Sequence, residues 1–333
     1  MKSVAFFNNK GGVGKTTLVY HTAWMMAKLG YNVLAADLDP QANLSSMFLD
    51  DERLMDLWPE TKKHKSILSC VSPILEGTGD IESAHRERIS ENLHLIPGDL
   101  GLSRFEDKLS DSWPRCLDHD AAAFRAITAF YRIIYSAAEA VNAEIVLLDV
   151  GPNLGAINRS ALIASDYVVM PLASDLYSLQ GLKNLGPTLK QWRRGWRQRL
   201  TQKPDELNIP LPSGKMTPAG YIIMQHVERK NRSVKAYRKW VDRMPAIYQK
   251  YILDQVEGPV SEVENDPHCI GMVRHYQSMM PMAQEARKPV FSLKPADGAI
   301  GSHAQAVTKS YMEFKRITET ILQRVLPKET SQL

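Results

Sequence analysis

The sequence predicts a doubly wound α/β domain: a mainly parallel sheet with helices on both faces and a ligand crevice at the carboxyl ends of its strands. Three observations carry the prediction. A short apolar run at 4–7 passes through a glycine-rich stretch, 8–17, into a helical pattern at 18–29, which Gly30 can end. Two further apolar runs, 32–36 and 144–148, each stop at an aspartate, Asp37 and Asp149. Later strand-like runs at 91–98, 166–172 and 220–226 are separated by helix-length segments, as in a parallel sheet built from crossovers.

The glycine-rich stretch is chemically the most informative. Glycines at 11, 12 and 14 let the backbone approach an anion without Cβ clashes, and the following helix N-terminus favours negative charge. Val13 and Thr17 complete the loop; Lys15 is placed to reach the β- and γ-phosphates and Thr16 to hold Mg²⁺. A nucleoside triphosphate is the expected ligand. The common pattern opens with glycine where this chain has Asn9, and a second lysine, Lys10, stands before the glycines, where a turn needs no cation.

The run Lys10-Gly11-Gly12-Val13-Gly14-Lys15-Thr16-Thr17 resembles the deviant phosphate loop of the ParA/MinD/nitrogenase-iron-protein class. The resemblance implies ATP and Mg²⁺ as cofactors, and that Lys10 acts across a nucleotide-sandwich dimer on the partner's ATP. Downstream, Asp37-Leu38-Asp39-Pro40-Gln41-Ala42-Asn43 matches the ParA switch I pattern D-x-D-P-Q-x-N. Asp39 is placed to orient the attacking water, and Asp37 to support Mg²⁺ or its waters; a turn at Asp39-Pro40 with Asp37 capping the next helix is the other reading. Asp149 ends the strongest strand, as the Mg²⁺-associated carboxylate of a phosphate-loop enzyme does. The text after it, 150–155, resembles switch II, with Gly151 in place of the first proline of D-x-P-P-x-L-G, a change expected to loosen the loop.

The remaining chain reads as follows. A helix is expected at 66–75, a loop at 76–80, and helices at 100–109 and 121–140. Residues 110–120, with Trp113-Pro114, read as a surface turn, and 50–140 as an elaborated segment without assigned chemistry. A helix starts near Ser178, and its basic part, 190–199, carries Trp192 and Trp196 four apart, so that one face buries them and leaves the arginines outside. Residues 204–218 are a proline-rich loop; Met224 and Gln225, at the end of the next strand, are expected at the edge of the adenine pocket. A second basic tract occupies 229–243, and 270–274 leads to 282–291, which resembles the "EA…KPVF" stretch of ParA. The last helix, 304–326, carries an apolar stripe of Tyr311, Phe314, Ile317, Ile321 and Val325, expected to pack on the domain.

Composition sets outer limits. A chain of 333 residues at 44% hydrophobic can bury the core of a single domain spanning 1–333. A formal charge of +4 gives no global field for nucleic acid, so local clusters must do any such work. Cys70, Cys116 and Cys269 fit neither a disulfide framework nor a zinc spacing and read as reduced thiols. With no signal peptide and no apolar run of spanning length, a cytoplasmic protein is expected.

Within the resemblance, three classes compete. The favoured one is an ATP-switched positioning protein: a homodimer formed with ATP holds non-specific DNA, and a ParB-like activating partner stimulates slow hydrolysis, as in plasmid or chromosome segregation on the nucleoid. Its expected DNA contacts are Arg193, Arg197, Arg232, Lys235 and Arg274, with a non-DNA cargo as a variant. A MinD-like membrane-surface ATPase needs an amphipathic tail, whereas 327–333 is polar, so no membrane partner is expected. A nitrogenase-iron-protein-like carrier needs paired cysteines at positions these three do not match. No DNA-reading domain precedes Lys2, so the autorepressor form is not expected.

Overall fold

The computed structural model describes residues 1–60, 63–226, 238–255, 261–276 and 279–326. Within them one eight-stranded sheet comprises β1 (Lys2–Phe6), β2 (Val33–Asp37), β3 (Glu87–Ser90), β4 (Leu93–Ile96), β5 (Ile145–Asp149), β6 (Tyr167–Ala173), β7 (Thr217–His226) and β8 (Cys269–Arg274). The spatial order is β3-β4-β2-β5-β1-β6-β7-β8. Only β3, on the edge beside β4, is antiparallel. The register sets Asp37 opposite Asp149 on β2 and β5, and Asp149 opposite Phe6 on β1. Two carboxylates and the start of the glycine loop therefore meet at one level, at the carboxyl ends of central strands.

The helices are α1 (Lys15–Lys28), α2 (Asn43–Phe48), α3 (Asp51–Leu57), α4 (Ile67–Glu76), α5 (Phe105–Arg115), α6 (Ala121–Ile127), α7 (Ala129–Ala140), α8 (Ala156–Ile163), α9 (Leu176–Leu200), α10 (Met244–Ile247), α11 (Met279–Glu285) and α12 (Ser302–Val325). They cover both faces. Val4 and Phe6 point into a core shared with α1 and α12, while Ala5 and Phe7 point into one shared with α4 to α9. That alternation is the period of two of a strand buried on both sides. The doubly wound α/β fold expected from the sequence is the fold observed.

Several local expectations need correction. Residues 110–120 are not a surface turn: α5 runs through Trp113 and Pro114 to Arg115. Trp113 stacks on the buried Trp196 at 6.4 Å between centroids, and this packing overrides the turn signal of Trp-Pro. The helix expected over 121–140 is two, broken at Thr128 (φ −94°, ψ 4°), whose hydroxyl turns back to donate to the Phe124 carbonyl at 2.7 Å. The antiparallel edge β3 was not foreseen from the sequence; its half-exposed residues lack the apolar run of the central strands.

Other expectations hold. Trp192 and Trp196 are buried on α9, with Arg194 and Arg197 outside. Arg199, however, turns inward and donates to the Trp113 and Gly195 carbonyls. In α12, Phe314, Ile317, Ile321 and Val325 are buried and Tyr311 is half-buried against the same core. The three cysteines are free, and burial pushes Cys70 and Cys269 up to about 11 and Cys116 to about 12, which makes all three poor nucleophiles.

Candidate nucleotide site

The phosphate loop is built by backbone conformations that favour glycine. Gly12 (φ 71°) and Gly14 (φ 86°), the N-cap of α1, lie in the left-handed region. A Cβ on Gly12 would meet nothing within 4 Å, and one on Gly11 only the ring of Pro152, at 4.0 Å, so the loop opens onto free space. Val13 is buried beneath it. Asn8 anchors the loop's start: its amide nitrogen donates to the Pro171 carbonyl on β6 at 2.6 Å, and its oxygen accepts from the Lys10 amide at 3.0 Å. Met224 reaches the same loop, its methyl 3.1 Å from where a Gly14 Cβ would stand. Gln225 follows it on β7, its side chain outside the described residues.

Behind the loop lie three carboxylates and one ammonium. Lys15 is only 7% exposed; burial lowers its pKa while Asp149 and Asp39 pull it back up. Asp149 is wholly buried, and neither of its oxygens has a hydrogen-bond partner. Burial raises its pKa well above the carboxylate range, Asp37 acting in the same sense and Thr16 and Lys15 in the other. Asp37 is pushed to about 7, chiefly by burial. Its two oxygens divide the two readings made of it. Oδ2 accepts from the amide and hydroxyl of Ser45, at 2.8 and 2.7 Å, and so caps α2, while Oδ1 has no partner.

Buried acceptors without donors are costly unless a cation serves them. The set Thr16 hydroxyl, Asp149 and the free oxygen of Asp37 is the all-oxygen donor chemistry of a hard divalent ion such as Mg²⁺, which keeps most of its waters. The residues fit that ion. When bound, it would neutralise phosphate charge beside Lys15.

Asp39 is 6% exposed; its Oδ1 accepts from the Gln41 amide at 3.0 Å, an Asx turn that fixes the carboxylate after β2. That oxygen lies 3.4 Å from where a Cβ on Gly151 would be, so the two acidic loops adjoin. The expected looseness at Gly151 is not found. Its amide donates to Asn158 Oδ1 at 3.1 Å, and the Asn158 amide nitrogen donates back to the Gly151 carbonyl at 2.8 Å and the Asn153 carbonyl at 2.7 Å. A proline at 151 has no N–H to give, so glycine exchanges ring stiffness for a side-chain clamp.

Lys10 does not stand free in solvent. Its ammonium pairs with Asp175, the N-cap of α9, and lies 5.6 Å from the centre of the Tyr177 ring. Sequence reasoning missed Asp175, although Asp175-Leu176-Tyr177-Ser178 before a helix is a capping signal. It also missed Asn158 and Ser45, whose roles depend on which loop each side chain meets. The expected DNA contacts are not brought together at this site. Arg193 donates to the Lys215 and Met216 carbonyls at 2.8 and 2.9 Å; Arg197 is exposed; Arg274 pairs with Glu313 at 3.4 Å. Arg232 and Lys235 lie outside the described residues.

A family model described as "AAA domain" matches residues 1–202, from β1 to the end of α9. Over 189 residues the chain is 31% identical to the sporulation initiation inhibitor protein Soj of Bacillus subtilis, covering 57% of this chain and 65% of that protein. It is 29% identical over 204 residues to the chromosome partitioning protein ParA of Caulobacter vibrioides, covering 60% of this chain and 66% of that one. The chain belongs to the ParA family of partition ATPases. The matched stretches span just under two thirds of these relatives' own length. Among solved structures, protein DIP2308 of Corynebacterium diphtheriae superposes with a TM-score of 0.72 at 24% identity, covering 99% of this chain and 100% of that one, and so shares the fold. The stretch matched by that family model, 1–202, contains the phosphate loop, Asp37, Asp39, Asp149 and the Lys10–Asp175 pair.

Proposed function

We propose that this chain is an ATPase that dimerises around ATP, binds DNA without sequence preference, and positions or segregates a cargo. The observation that carries the reading is the rim of the phosphate loop. Lys10 adds a second cation there, while Tyr177, Leu176 and Leu154 stay 72, 43 and 39% exposed. Tyr177 adjoins Lys10, and Leu154 follows the Pro152 that faces Gly11. Exposed large apolar groups around a charged mouth suit a second copy of the chain better than open water.

In this reading Lys15 and the loop amides hold the β- and γ-phosphates, and Thr16, Asp149 and Asp37 hold Mg²⁺. Asp39 orients the attacking water, and Lys10 of each protomer reaches its partner's ATP. Hydrolysis then rests on positioning and electrostatics alone, and is slow until a ParB-like activating protein completes the arrangement. Mg²⁺·ATP would close the dimer and double the basic surface presented to DNA. The alternatives are a non-DNA matrix and a membrane surface; among the described residues no helix is long and apolar enough to cross a membrane.

Co-sedimentation with plasmid DNA and with anionic liposomes, each with and without ATP, tests the reading alongside light scattering. The expected result is a dimer and DNA pelleting only with ATP, and no liposome pelleting. ATP-dependent binding to liposomes alone, or an ATP-bound monomer that holds DNA equally well, would overturn it.

A further inference from the structure

The helix α5 lies in the elaborated segment to which the sequence assigned no chemistry, yet its second residue reaches switch II. Both oxygens of Glu106 are engaged at the start of α8: Oε1 accepts from the Ala156 amide at 2.5 Å and Oε2 from the Ile157 amide at 2.9 Å. These are unpaired first-turn donors of the helix that follows switch II, where a carboxylate also meets the helix dipole. Glycine at 155 makes the approach possible, since a Cβ there would lie 2.6 Å from Glu106 Oε1 and 2.9 Å from Asn153 Oδ1.

The grip is repeated at the other end of α5. Two guanidiniums approach the Trp113 ring, Arg159 of α8 at 4.4 Å and Arg199 of α9 at 3.8 Å from its centre, and the Trp113 carbonyl accepts from Arg199 at 2.6 Å. Thus α5 holds α8 at its N-terminus and along its length, and is itself tied to α9. Asn158, within α8, clamps Gly151 and Asn153. Any shift of α8 along its axis is passed through Asn158 to the loop that leaves Asp149.

We propose that Glu106 is a positioning residue for switch II: by fixing the first turn of α8 it sets the register of residues 151–155 against Asp149 and Asp39. The proposal rests on the ATPase reading given above. It touches no phosphate and holds no metal, so its loss leaves nucleotide binding intact and slows turnover. A misplacement of about 1 Å in a positioned reaction costs on the order of 10²-fold, and a partial loss correspondingly less.

The test uses the full chain with Glu106→Ala and Glu106→Gln, the second keeping one acceptor and a similar shape. Three quantities are read: amide hydrogen exchange at 153–157, affinity for a slowly hydrolysed ATP analogue, and kcat with KM. In Glu106→Ala the exchange accelerates about a hundredfold or more, in keeping with the loss of two charged hydrogen bonds. The analogue binds as to wild type, and kcat falls about tenfold or more with KM little changed; Glu106→Gln falls between. Wild-type exchange and kcat in both variants overturn the proposal. So does a loss of kcat matched by an equal loss of analogue affinity in both variants, which marks a merely structural role. A wild-type protein that hydrolyses no ATP sinks the ATPase reading instead, and exchange at 153–157 then decides for or against Glu106 alone.

Discussion

Lys10 is ion-paired with Asp175, and Asp175 at the same time caps α9 by accepting the Ser178 amide at 2.8 Å. The lysine that the ParA resemblance assigns to a partner's ATP is thus held within its own subunit. Both side chains are about a third exposed, at 31 and 36%, so the pair contributes at most about 1 kcal/mol. A phosphate group presented by a second protomer would displace it readily.

Two substitutions separate the pair from the cap. Lys10→Ala should bind nucleotide as a monomer and fail to dimerise with a slowly hydrolysed analogue. Asp175→Asn keeps an acceptor for Ser178 but loses the charge. It should dimerise at lower protein concentration, by up to about thirtyfold, since a dimer breaks one such pair of about 1 kcal/mol in each protomer. Light scattering across a concentration series reads both; an Asp175→Asn variant that dimerises more weakly than wild type would rule out the competition.

Lys15 and Asp39 should fail in different ways. Lys15→Ala removes the ammonium that Asp149 and Asp39 surround, and should abolish productive nucleotide binding. Asp39→Ala should bind ATP and accumulate as the ATP dimer, because in the proposed mechanism the lost group acts on water and not on phosphate. Equilibrium binding of a fluorescent analogue and single-turnover hydrolysis distinguish the two. Wild-type hydrolysis by Asp39→Ala would remove Asp39 from the mechanism.

Restoring the family's proline should harm this chain. Gly151→Pro deletes the donor to Asn158 Oδ1 and places ring atoms where a Cβ already comes within 3.4 Å of Asp39. The expected cost is about 1–3 kcal/mol, from the lost hydrogen bond and the unsatisfied buried acceptor. Urea midpoints of wild type and variant measure it, and an equally stable Gly151→Pro would show that the clamp contributes nothing.

His21, on the buried side of α1, supplies a second pH-dependent term. Its Nε2 accepts from the Val290 amide at 3.1 Å, so Nδ1 carries the hydrogen and donates it to the Thr17 carbonyl at 2.7 Å. The ring stacks on Phe314 at 4.7 Å, and burial lowers its pKa from 6.5 to about 4. The unfolded chain therefore takes up a proton below about pH 6.5 that the folded protein refuses until about pH 4. Stability from this group is complete above pH 6.5 and is lost, on the order of 3 kcal/mol, as pH falls through that window. Asp37 and Asp149, with raised pKa values, act oppositely in the same range, since they take up protons on folding. The measurable quantity is thus the difference between wild type and His21→Gln in urea midpoints at pH 7.5 and 5. The gap should narrow at pH 5, and a constant gap would remove His21 from the linkage.

The parts legible in the sequence are those whose meaning is local. Gly11 to Thr17 and the acidic ends of β2 and β5 announce themselves by residue type and spacing, and parallel register then brings Asp37 level with Asp149. Met224, expected at the edge of the adenine pocket, lies against Gly14 of the phosphate loop. What stayed hidden depends on contacts between distant segments. Trp113-Pro114 looks like a turn until Trp196, eighty-three positions on, supplies a surface for a helix. Glu106 looks like any first-turn acid until Ala156 and Ile157 arrive beside it. Gly151 looked like slack because proline was missing, and the compensating Asn158 is recognisable only once the loop is folded back on α8.

The basic residues on α9 should separate into two kinds when DNA binding is measured. Arg193 spends its guanidinium on the Lys215 and Met216 carbonyls and is half-buried, so its charge serves the loop before β7. Arg193→Glu should lower stability, and any loss of DNA binding should track that loss. Arg197, one turn on, is exposed and free to meet phosphate. Arg197→Glu should leave the fold and the ATP dimer intact and weaken binding to unrelated duplexes alike, since phosphate contacts position a protein without reading bases. Each phosphate contact contributes roughly 0.9 to the slope of log affinity against log salt, so losing one per protomer flattens a dimer's slope by about two. Arg274→Glu faces a further effect, because it sets a negative charge beside Glu313, which also accepts from the Arg274 amide and the Tyr276 hydroxyl. Its stability must be checked before its DNA binding is read. A salt titration of duplex binding with the ATP-bound protein, on Arg197→Glu and on Arg232→Glu with Lys235→Glu, decides the matter. If both variants dimerise and keep the wild-type slope, the DNA surface lies elsewhere or the matrix is not DNA.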